Sequence, residues 1–116
     1  MTERINNKQY DLEDRTFEFA KNCRLFIKQL PKTIQNIEDG KQLIRSSGSV
    51  GANYIEANEA LSKKDFIMRV KISRKESKES RYWLRLLDND TKFCRDLVQE
   101  STELMNIFAS IIRKSV

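Results

Sequence analysis

Apolar residues return every three or four positions along most of this chain, and that spacing is the mark of amphipathic helices. Leu12, Thr16, Phe19, Cys23, Phe26 and Leu30 step by four and three, which predicts a first helix over about 11–30. Phe17, Ala20 and Ile27 widen its stripe. Asp11 suits the N-cap, Glu13 and Asp14 suit the first turn, and Pro31 stops the helix because its ring cannot follow a helical residue. Leu43, Ser47, Val50, Tyr54, Ala57 and Leu61 predict a second helix over about 36–60, starting between Thr33 and Asp39.

Phe66, Val70, Ser73, Ser77, Ser80, Leu84 and Leu87 predict a third helix over about 62–90. Ser62-Lys-Lys-Asp65 reads as its capping box, with Asp where Glu or Gln is usual. Leu97, Ser101, Leu104, Phe108 and Ile111, widened by Met105, Ile107 and Ile112, predict a fourth helix over about 96–114. Arg113 and Lys114 suit its C-terminal end. Residues 89–95 are the least defined connector. Four amphipathic helices with short connections predict an all-α, antiparallel up-down-up-down four-helix bundle, one domain over 1–116. Gly48 and Gly51 cost helix stability, about 1 kcal/mol each relative to Ala, and their return is the close approach of another helix.

The third helix carries more than a core stripe. Counting about 100° per residue from Phe66, the core arc lies near zero, and a second arc at roughly 200–260° holds Met68, Ile72, Trp83 and Leu86. A third arc, at roughly 60–180° on the same count, holds Lys63, Lys64, Lys71, Arg74, Lys75, Lys78, Arg81 and Arg85. Arg69 falls elsewhere. A bundle helix needs one apolar stripe, so the second arc calls for a cover, and another copy of the chain is the simplest one. The alternative is a single broad core face that absorbs both arcs.

Charge sharpens this reading. The 116-residue chain has net charge +5. Residues 1–60 carry 9 basic and 9 acidic side chains, residues 61–95 carry 11 and 5, and residues 96–116 carry 2 and 3. The excess therefore belongs to residues 61–95, most of it on the third helix. A basic row about 30 Å long, at 1.5 Å per residue, suits nucleic-acid phosphates through salt-dependent, weakly sequence-selective contacts. Tyr82 lies inside it and could stack on a base. The plain alternative is a solvated face kept cationic for solubility.

The polar residues at core positions need partners. Arg45, Ser49, Asn53 and Glu56 share one side of the second helix and are expected to meet Ser73, Ser77, Glu76 and Glu79 in a polar seam that fixes register. Paired carboxylates such as Glu56 and Glu76 could in principle do acid–base work. The chain has no histidine, no metal-ligand spacing and no phosphate loop, so neither an enzyme nor a cofactor is expected. Cys23 and Cys94 read as reduced core residues. No apolar run reaches the ~18 residues of a spanning helix, and the N-terminal MTERINNKQYDLEDR lacks the apolar centre of a signal peptide. A cytoplasmic protein with no membrane partner is expected.

The string SSGSVGANYIEANEALSKKDF, followed by KISRKESKESRYWLRLL, resembles the four helix bundle protein family, also called 23S rRNA intervening-sequence proteins. Arg45, Ser46, Ser49, Asn53, Glu56, Ser62, Asp65, Phe66, Ser77 and Glu79 carry the resemblance. Ala57 stands where many members have Gly, which implies a straighter end to the second helix. The resemblance implies a four-helix bundle assembling as a ring-like homopentamer. It also implies kinship with the accessory bundle of diversity-generating retroelements, which works with a reverse transcriptase. The expected function is non-enzymatic binding of nucleic acid, RNA more than DNA. The alternative is a scaffold for a protein partner such as a reverse transcriptase.

Overall fold

The computed structural model describes residues 8–116. The reading of the first seven residues as free of a signal peptide lies outside that range. Four helices run in order: α1 (Lys8–Lys28), α2 (Ile34–Asn58), α3 (Lys63–Leu86) and α4 (Lys92–Ser115). Three of their starts are set by one device, a hydroxyl that accepts a bond from the backbone N–H three residues on. Thr33 accepts from Asn36 at 3.1 Å, Ser62 from Asp65 at 3.1 Å and Thr91 from Cys94 at 3.2 Å.

Cross-helix contacts give the topology. On α1 and α2, Asn58 bonds Glu13 while Arg24 reaches the Ile44 carbonyl, so residue numbers rise on one helix as they fall on the other. Ser46 with Ser80 and Asn53 with Arg69 show the same reversal between α2 and α3. Arg15 with Glu100 and Phe26 with Phe93 show it between α1 and α4. The helices therefore alternate up and down around one core, and α1 meets α4 along the thinnest of the four seams. The molecule is a slab of 44 × 33 × 19 Å.

Every residue of the expected α1 stripe is buried, as are Leu43, Ser47, Val50, Tyr54 and Ala57 on α2. The floor of the α1–α2 contact is Gly51, where an added Cβ would sit 2.8 Å from Thr16 Oγ1. That is the close approach expected of Gly51; at Gly48 an added Cβ would meet only the end of the Arg24 side chain, at 3.4 Å.

Several local expectations are corrected. Asp11 is inside the first turn of α1 and not its cap, because the helix already runs from Lys8. Phe17 is 64% exposed, since it lies about 200° round the helix from buried Phe19 and faces outward. Leu61 is fully exposed because α2 ends at Asn58, where the Glu59 N–H turns back to the Glu56 and Ala57 carbonyls. The fourth helix starts at Lys92, four residues before the expected Asp96, because Thr91 caps it after Asp90 takes a left-handed φ of 58°. The third helix stops at Leu86, and Leu87 closes it with its N–H on the Trp83 carbonyl.

Candidate nucleic-acid interface

The expected basic row occupies the outer side of α3. Lys63, Lys64, Lys71, Arg74, Lys78 and Arg85 are exposed, and none forms an ion pair among the described residues. Two members differ. Lys75 lies 3.8 Å from Glu76 Oε2, and half-buried Arg81 donates to Thr102 Oγ1 of α4 at 3.2 Å. Tyr82 is exposed beside this row, edge-on to Trp83 at 5.0 Å between ring centres.

The four residues of the second apolar arc do not share one environment. Met68 and Leu86 are exposed, Ile72 is half-buried, and Trp83 packs partly on the core. Trp83 is also tied down: its Nε1–H donates to Glu79 Oε2 at 3.2 Å. The broad-core alternative thus describes Trp83 well and Met68 badly. Around Met68 the surface forms a shallow apolar groove of about 780 Å³, floored by Ile67, Met68 and Ile72 and rimmed by Lys63, Lys64, Lys71 and Lys75.

The expected seam between α2 and α3 is brought together in part. Arg45 ion-pairs with Glu79 and reaches Glu76 Oε1 at 3.4 Å. Asn53 donates to the Ser49 carbonyl and hydroxyl at 3.0 and 2.9 Å, and accepts from Arg69 at 3.0 Å. Ser73 crosses to the Val50 carbonyl at 2.9 Å, whereas Ser77 bonds back to Ser73 on its own helix. Glu56 is exposed and stands outside the seam. Burial pushes Glu79 up, but the Trp83 N–H and the Arg45 guanidinium outweigh it and hold the carboxyl below its ordinary value. The same pairing raises Arg45. Glu76 is 5% exposed, and the nearest cation to its Oε1 is the Arg45 guanidinium at 3.4 Å, an ion pair longer than a good hydrogen bond.

Other contacts had no signal in the sequence. Ser46 and Ser80 share a buried bond of 2.8 Å. Arg15 forks across the α1–α4 seam, with Nε and Nη2 on Glu100 at 2.7 and 2.9 Å and Nη2 on Glu103 at 2.6 Å. Long-range pairing cannot be read from periodicity, which sorts residues by face and not by partner. Both cysteines are buried thiols. Burial pushes Cys23 up to about 12 and raises Cys94, so neither is a ready nucleophile. Among the described residues no helix is long and apolar enough to cross a membrane, and no group of three or more His, Cys, Asp or Glu side chains is placed to hold a metal.

The sequence model of the 23S rRNA-intervening sequence proteins matches residues 8–114, nearly the whole chain. The chain belongs to this family. The crystal structure of a protein of unknown function from the S23 ribosomal protein family of Bacteroides thetaiotaomicron VPI-5482 is similar in three dimensions. It is 33% identical, with a TM-score of 0.75, over 86% of this chain and 96% of that one. No curated protein matches the chain. The intervening-sequence family is of unknown function, and no enzymatic family is indicated.

Proposed function

We propose that this protein is a cytoplasmic, non-enzymatic, self-associating bundle that binds nucleic acid, RNA in preference to DNA, through the outer side of α3. The carrying observation is the exposed row Lys63, Lys64, Lys71, Arg74, Lys78 and Arg85, without acidic partners among the described residues. Six cations on one helix, with no ion pair among the described residues, leave this side of α3 open to a polyanion. The family's description as 23S rRNA-intervening sequence proteins favours RNA. The absence of histidine and the raised thiols speak for binding without turnover.

Fluorescence anisotropy with short labelled RNA and DNA, single- and double-stranded, at two salt concentrations tests this. Binding is expected to weaken steeply between 50 and 200 mM salt, with about one unit of salt slope lost per phosphate contact removed. Arg74→Glu, Lys78→Glu and Arg85→Glu together should abolish it. These positions are exposed, so the fold is expected to survive. Binding that persists in the triple variant, or is negligible at low salt in the wild type, rejects the interface.

A further inference from the structure

Tyr82 stands among the free cations of α3, and its surroundings hold its ring out toward solvent. It is 56% exposed. Lys78 lies four residues before it and Arg85 three residues after, so both are its neighbours on the helix surface. Both are exposed, and neither forms an ion pair among the described residues.

The ring has a fixed backing. The Trp83 indole lies 5.0 Å away between ring centres and nearly perpendicular, at 79°. The indole is itself anchored. Its body packs on the core, its Nε1–H donates to Glu79 Oε2 at 3.2 Å, and Glu79 is held in turn by Arg45 of α2. Perpendicular rings meet edge to face, so the indole takes at most one face of the phenol ring. An aromatic face already held open loses little freedom when a flat ligand stacks on it.

Nucleic acids differ in whether they offer a matching surface. A duplex offers phosphates, but each base face is covered by its stacked neighbours. A single strand offers phosphates and uncovered base faces together, and aromatic side chains beside basic residues bind both. Charge alone would favour the duplex, which carries the denser row of phosphates. Tyr82 supplies a contact that only an unpaired base can use.

We propose that the α3 row takes single-stranded nucleic acid, with an unpaired base stacked on Tyr82 and the adjoining phosphates on Lys78 and Arg85. This inference rests on the nucleic-acid reading. Stacking accepts every base, so Tyr82 selects for strandedness without adding sequence preference.

Fluorescence anisotropy tests it by comparing a labelled, unstructured oligouridine with an RNA duplex of equal length at low salt. Tyr82→Ala should weaken single-strand binding by about 5- to 150-fold, the range of base stacking on an aromatic ring, and leave duplex binding unchanged. Tyr82→Phe keeps the ring and should keep the single-strand affinity. Lys78→Ala should instead weaken both probes and lower the salt slope of each by about one. Circular dichroism should show unchanged helicity, since both positions are exposed. Tyr82→Leu, which keeps an apolar side chain against Trp83, replaces the alanine variant if that one loses helix. Equal losses on both probes, no loss on either, or a Tyr82→Phe as weak as Tyr82→Ala overturns the stacking and leaves the basic row standing. A wild type that binds neither probe removes both.

Discussion

Gly51 and Thr16 show how tightly single side chains set this bundle. An alanine at position 51 gains about 1 kcal/mol of helix propensity. It also drives a Cβ to 2.8 Å from a hydroxyl that is buried and already bonded to the Glu13 carbonyl. Overpacking of this kind costs about 1–3 kcal/mol, so Gly51→Ala should destabilise in urea unfolding, and Thr16→Ala/Gly51→Ala should recover part of the loss. Glu79 makes a pH prediction. Its folded-state pKa lies below the ordinary carboxylate value, so its stabilisation is present above that value and is lost as pH falls through the lower folded one. Its side chain is 32% exposed, and the pairing is worth about 0.5–1 kcal/mol after solvent screening. Glu79→Gln should therefore cost that much near neutrality and almost nothing well below the carboxylate range. The fluorescence of Trp83, the one tryptophan, reports the unfolding directly.

The pairing of α2 with α3 is written in hydroxyls as much as in hydrocarbon. Ser46, Ser73, Ser77 and Ser80 are fully buried. Ser46 has a fallback acceptor, the Leu43 carbonyl at 3.5 Å, whereas Ser80 hydrogen-bonds through its side chain to Ser46 alone among the described residues. Ser46→Ala, which strands the Ser80 hydroxyl, should cost about 1–3 kcal/mol. Ser80→Ala should cost less, and the double variant less than the sum of the two, as a double-mutant cycle in thermal melts would read. The helices themselves were legible because a period near 3.6 sorts Leu12 to Leu30 or Leu97 to Phe108 onto one face without any tertiary knowledge. Their ends were less so. Leu61 continues the α2 period past a turn that periodicity cannot see, and Thr91 carries no capping-box signature because Cys94 stands at the third position where Glu or Gln would complete it. The basic row was legible for the same reason as the core, since rotation alone places it. Which bases pair inward was not: Arg81 and Arg69 found partners on other helices through chain geometry.

The whole molecule is thin, 19 Å in its shortest dimension, so a large share of its side chains lies near a surface that another copy can cover. If copies stabilise one another, the melting temperature of the wild type should rise with protein concentration, because association favours the folded state by mass action. That of Met68→Asp, which puts a charge on the exposed apolar arc of α3, should not. Differential scanning calorimetry over a wide concentration range separates the two. The fork of Arg15 on Glu100 and Glu103 has a consequence for motion. It bridges the seam with the least packing, where α1 and α4 otherwise meet through core side chains such as Phe26 on Phe93, and it acts there as a latch on the barrel of helices. Amide hydrogens lining that seam should exchange sooner than those between α2 and α3, and Arg15→Gln should let them exchange sooner still while the α2–α3 pair keeps its protection. The bundle would then breathe by swinging its first helix aside, carrying exposed Phe17 away from Ile55 of α2.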